Sequence, residues 1–148
     1  AFLQATAEAE QAMADLVGRH LARAKRIADL FSGCGSFALR LAAGAEVHAV
    51  EGDAPALAAL DRGFRFASGL KRVTAERRDL FRRPLTAKEL AAFDGVVFDP
   101  PRAGAEERDL AILRDGGYVL KSVTPIDQFL WSAHVEAVAL LEKPRKRR

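Results

Sequence analysis

Between Ile27 and Asp53 the chain reads apolar strand, glycine turn, helix, apolar strand and carboxylate, an order that few folds accommodate. Arg26–Leu30 has the length and apolar character of a short strand, Ser32-Gly-Cys-Gly-Ser36 of a tight turn, and Phe37–Ala43 of a helix stopped by Gly44. Glu46–Val50 then reads as a second strand. Two strands joined by one helix form a parallel pair with a right-handed crossover. The alternation continues. Helices are predicted over Ala7–Ala24, over Pro55–Ala67 after an Asp53 N-cap, over Thr86–Ala92 with Thr86 and Glu89 as a capping box, and over Leu110–Arg114. Further strands are predicted over Val73–Arg77, Gly95–Phe98, Tyr118–Thr124 and Val135–Leu141, the second stopped by Pro100 and Pro101. The expected class is α/β, a doubly wound, mostly parallel Rossmann-like sheet with helices on both faces.

Composition removes several alternatives. No apolar run approaches the roughly 18–20 residues of a membrane span, so no membrane partner is expected. The N-terminus has no apolar signal core, which makes a cytoplasmic protein the default expectation. One cysteine, Cys34, excludes a disulfide framework, and His20, His48 and His134 are scattered without metal-ligand spacing. No metal is expected. Net charge is only +3, yet basic residues cluster at Lys71–Arg72, Arg77–Arg78, Arg82–Arg83 and Lys143–Arg148. Such clusters suit a polyanion such as RNA, although a solvated surface carries them equally well.

Gly33 and Gly35 permit positive φ and close approach of a ligand to the backbone. Glu51, about twenty residues on, ends the second strand, where a carboxylate can accept both hydroxyl hydrogens of a ribose. Ala38 stands where a dinucleotide motif needs its third glycine. With Asp29 ahead of the turn, D-L-F-S-G-C-G followed by V-E-G-D resembles the nucleoside site of class I methyltransferases. Asp79 follows the third strand, at a position near the adenine in such folds, where an ordinary surface Asp serves as well. Cys34 lies inside the turn and reads as a small packing residue rather than a nucleophile.

Asp99 closes an apolar strand, at the end where open α/β sheets bind ligands. Amino-group methyltransferases often place an aromatic after D/N-P-P; here Arg102 follows, which argues against an exocyclic amine target. F-L-Q from Phe2, D-L-F-S-G-C-G-S-F from Asp29, F-D-P-P-R-A-G from Phe98, and P-I-D-Q-F with H-V-E-A-V after Pro125 together resemble the catalytic domain of the RNA (uracil-5-)-methyltransferase family. That resemblance implies S-adenosyl-L-methionine as cofactor and a uridine in tRNA or 23S rRNA as substrate. It implies that Gln4, Phe31, Ser36, Glu51 and Asp99, with Asp79 less firmly, line the cofactor and base pocket. It implies that Glu136 removes the C5 proton. Residues 1–142 would form the methyltransferase domain and 143–148 a basic tail. Family members carry RNA-binding parts ahead of F-x-Q, so a piece of a longer protein is expected.

One departure matters. The family's nucleophilic cysteine lies in a V-S-C-N-P segment on a fifth strand, and no such segment occurs here. Around Ala105–Arg108 one helix and one strand, about 25 residues by ordinary α/β unit length, are expected to be missing. Because a parallel sheet that loses a central strand loses hydrogen-bond partners, the sequence is expected to skip a stretch there, with a naturally truncated, inactive chain as the alternative. A methyltransferase with another substrate, or a catalytically inactive cofactor- or RNA-binding module, remains the alternative.

Overall fold

The computed structural model describes residues 7–100, 107–126 and 136–143. Four parallel strands form the central sheet: β1 (Arg26–Leu30), β2 (Glu46–Glu51), β3 (Val73–Arg77) and β4 (Gly95–Phe98), in the order β3-β2-β1-β4. The chain builds outward from β1 to β3, then crosses back to the far side of β1. That reversal between β1 and β4 is a topological switch point, where a crevice opens beyond the carboxyl ends of the strands.

Side chains alternate across the sheet. Ile27, Val47 and Ala49 point to one face, against α1 (Ala7–His20), α2 (Ser36–Leu41) and α3 (Ala54–Phe66). Ala28, Leu30 and Val50 point to the other, against α4 (Ala87–Leu90) and α5 (Glu107–Asp115). The doubly wound expectation therefore holds.

Local signals act as the sequence indicates. The Asp53 carboxylate accepts the Ala56 N–H at 3.1 Å and caps α3. Thr86 and Glu89 close the capping box of α4. The expected first helix stops early, at His20 rather than Ala24. The Asp94 carboxylate accepts the N–H groups of Lys25 and Arg26 at 2.8–3.1 Å, which holds that backbone extended.

The late strands differ from the expectation. β5 (Val119–Ile126) and β6 (Glu136–Glu142) pair antiparallel with each other, as a separate two-stranded sheet. Among the described residues β4 pairs with β1 alone, leaving its other edge open. The hairpin keeps its backbone hydrogen bonds internally, each strand serving the other.

Candidate functional site

The turn from β1 into α2 curls tightly. Phe31, Gly33 and Gly35 take φ of 60°, 57° and 95°. A bulky residue at positive φ is strained, by about 1–3 kcal/mol. Phe31 is held there by its ring, 5.1 Å from that of Phe81 and 5.6 Å from that of Phe98. These aromatics follow β1, follow β3 and end β4, so they gather at the carboxyl end of the sheet. Arg108 of α5 donates to the Phe81 carbonyl and joins the second helical layer to this cluster. Gly35 is required twice over, because a Cβ there would stand 2.9 Å from Leu60 Cγ, at a φ that L residues rarely adopt.

Glu51 reaches across from β2. Its Oε2 accepts the Gly33 N–H at 2.9 Å, and its Oε1 accepts those of Gly52 and Asp53 at 2.7 and 3.0 Å. The two halves of the expected motif are thus in contact. Glu51 is a clamp on the turn as well as an acceptor, with lone-pair capacity left for a further donor.

Asp29 is wholly buried, with no hydrogen-bond partner for either carboxylate oxygen. Burial foremost, then the charge of Asp99, pushes its carboxyl up to about 8, and Glu51 adds to the rise. The Ala38 N–H lies near enough to oppose this, without closing a hydrogen bond. Ser32 Oγ, in the turn itself, is buried and unpartnered too. Buried polar groups are nearly always satisfied, so three orphan oxygens beside one glycine turn mark a place for a polar ligand.

Asp99 is exposed just beyond β4, and its N–H donates to the Leu30 carbonyl at 3.3 Å. Ser36 opens α2 with its side chain exposed, its Oγ 3.9 Å from Cys34 Sγ. Asp79 is engaged by its own turn, accepting the N–H groups of Phe81 and Arg82 at 3.0 and 3.2 Å. Gln4 lies outside the described residues, as do Arg102, His134 and residues 144–148. Glu136 begins β6, opposite Ile126. The structure thus gathers Phe31, Ser36, Glu51 and Asp99 around the turn. Sequence reasoning used Asp29 only to support the motif and passed over Ser32 and Phe81. Asp29 had a signal, since a carboxylate inside an apolar strand requires a reason.

No protein-family model matches the chain. An uncharacterized RNA methyltransferase of Mesorhizobium japonicum is 70% identical over all of this chain, which covers 42% of that relative. Along its whole length the chain is thus similar to RNA methyltransferases. It spans about two fifths of the length of this relative and of one from Brucella melitensis that is 60% identical. A more distant one, the 23S rRNA (uracil(1939)-C(5))-methyltransferase RlmD of Halomonas elongata, is 34% identical over 97% of this chain and 36% of its own. Among solved structures, the tRNA (uracil-54, C5)-methyltransferase of Pyrococcus abyssi in complex with S-adenosyl-L-homocysteine is 25% identical, with a TM-score of 0.74. That likeness covers 95% of this chain and 40% of that one. The match to the Mesorhizobium relative runs over 172 residues against 148 here, so it holds at least 24 residues without a counterpart. That difference is the size of the helix–strand unit expected to be missing.

Proposed function

We propose that this domain binds S-adenosyl-L-methionine at the β1–α2 turn and is the cofactor-binding part of an enzyme that methylates C5 of a uridine in rRNA or tRNA. The observation that carries the cofactor reading is the set of orphan acceptors, Asp29 and Ser32, beside a turn clamped by Glu51. S-adenosyl-L-methionine offers an ammonium and ribose hydroxyls, donors that such acceptors lack. Asp29 and Ser32 would hold polar groups of its methionine part, Glu51 its ribose, and the Phe31–Phe81–Phe98 cluster an apolar wall. When bound, it supplies an electrophilic methyl group. The uracil-C5 reading is supported by the RlmD relative, by the tRNA-modifying structural neighbour, and by the D-P-P-R and H-V-E segments.

The chemistry needs two protein groups. Carbon 5 of uracil is a weak nucleophile until a thiolate adds at C6. After methylation a base must take the C5 proton, so that the C6–S bond can break and the thiolate leave. Glu136 is the proposed base. The thiol is the difficulty. Cys34 is the chain's one cysteine, exposed within the cofactor turn. A second reading follows from the 24-residue difference: as it stands, the chain binds the methyl donor and RNA but cannot form the adduct. RNA bearing 5-fluorouridine tests both readings, because fluorine blocks release of the thiolate. The Mesorhizobium relative should give a denaturation-resistant adduct with that RNA, and this chain none. No adduct with the relative would refute the uracil-C5 reading, and an adduct through Cys34 would refute the second.

A further inference from the structure

At the amino ends of the strands, opposite the glycine turn, two distant segments bring cations together. Arg23, Lys25 and Arg26 lead into β1, and Lys71 and Arg72 lead into β3. The Lys25 carbonyl accepts the Glu46 N–H and the Arg72 carbonyl accepts the Val47 N–H, so the segments flank the start of β2. Two strand spacings put them about 10 Å apart. All five side chains are exposed, and among the described residues no ion pair neutralises them. Asp94, beside Lys25 and Arg26, already has its carboxylate engaged by their N–H groups.

Between the two arms lies a groove of about 190 Å3, lined by Arg26, Arg72, His48, Thr74 and Phe93, with Glu46 as its acid. Its planar groups are fixed. The His48 ring bonds Thr74 Oγ1 at 2.7 Å and Glu76 Oε2 at 2.9 Å, and stacks on Phe93 with centroids 5.9 Å apart and planes 12° apart. The Arg26 guanidinium lies 5.8 Å from the Phe93 centroid. By contrast Arg78, half of a basic cluster in the sequence, is turned inward onto Glu89, at 2.9 and 3.2 Å.

We infer that this groove and its two basic arms hold the phosphodiester backbone of the substrate RNA, at a stretch remote from the target base. Cations on either side of a groove about 10 Å across, beside a fixed aromatic surface, suit a single strand whose phosphates face the arginines. The inference rests on RNA being the substrate and adds where the molecule grips it. A five-residue strand is about 16 Å long, so RNA reaching from this groove to the cofactor turn would follow one side of the sheet.

The test is fluorescence anisotropy of a labelled single-stranded RNA with this chain, across a series of potassium chloride concentrations. Arg26→Gln with Arg72→Gln should lower the slope of log K against log salt by about 1.4, at roughly 0.7 per phosphate contact in single strands. Affinity at low salt should fall about tenfold or more. Arg62→Gln with Lys88→Gln removes the same charge elsewhere and should leave the slope unchanged. Arg26→Lys with Arg72→Lys should keep it. Equal loss in the two glutamine pairs would overturn the groove while leaving the RNA reading intact. No RNA binding by the unaltered chain would overturn both. A thermal melt confirms that each variant folds.

Discussion

Replacing Asp29 by Asn isolates the most unusual group in the molecule. The side chain keeps its shape and loses its ability to ionise. In the unfolded chain Asp29 ionises near its ordinary value of 3.8, whereas burial, Asp99 and Glu51 hold the folded carboxyl up at about 8. The folded state therefore binds the proton more tightly, so stability is greatest below the unfolded value and falls as pH rises towards the folded one. The slope is about 1.4 kcal/mol per pH unit, and over this window the loss approaches 5 kcal/mol. That rivals the whole stability of many small domains, roughly 5–15 kcal/mol. Urea denaturation followed by circular dichroism, at pH 5, 6, 7 and 8, measures the effect. The unaltered chain should lose about 4 kcal/mol relative to Asp29→Asn between pH 5 and 8. At pH 5 the variant should be the less stable of the two, since its buried amide leaves N–H donors unpaired at about 1–3 kcal/mol. A bound cation pulls the carboxyl back down, so saturating S-adenosyl-L-methionine should flatten the slope of the unaltered chain. Parallel pH profiles for the two proteins would refute the assignment of a buried, proton-holding Asp29.

Four further outcomes are expected. Glu51→Ala removes the clamp on Gly33 and should weaken S-adenosyl-L-homocysteine at least tenfold by calorimetry; unchanged affinity would exclude Glu51 from the site. Gly35→Ala forces a Cβ to 2.9 Å from Leu60 at a φ of 95°, and should lower stability by about 2–4 kcal/mol in urea titrations. Arg78→Ala strips Glu89 and two loop carbonyls of their donor, and should cost about 2–3 kcal/mol; since Arg78 holds the Glu89 carboxyl down at about 2, the ion pair's share should vanish only as pH falls below about 4. In a relative carrying the nucleophile, Glu→Gln at the position of Glu136 should trap a covalent RNA adduct on denaturing gels, and normal turnover would remove Glu from the role of base.

Periodicity and capping were legible because they are local. The strand–turn–helix–strand run from Arg26 to Glu51, the Asp53 cap and the Thr86–Glu89 box each depend on residues a few positions apart, and each formed where the sequence placed it. Non-local consequences were not. β5 and β6 pair with each other across residues ten or more positions apart, and a propensity pattern reports strands without their partners. Arg77–Arg78 and Lys71–Arg72 look alike as dipeptides. Only the fold turns Arg78 inward to Glu89 and sets Arg72 across β2 from Arg26. The site divides in the same way. Gly33, Gly35 and Glu51 announce themselves by spacing, whereas the aromatic cluster of Phe31, Phe81 and Phe98 joins three separate strand ends.

The central claim is that the β1–α2 turn is a formed cofactor site. Calorimetric titration of S-adenosyl-L-homocysteine into this chain tests it most directly. One saturable site should appear in the unaltered chain and be lost in Glu51→Ala with Asp29→Asn. No binding by the folded chain, or equal binding by that double variant, would contradict the claim.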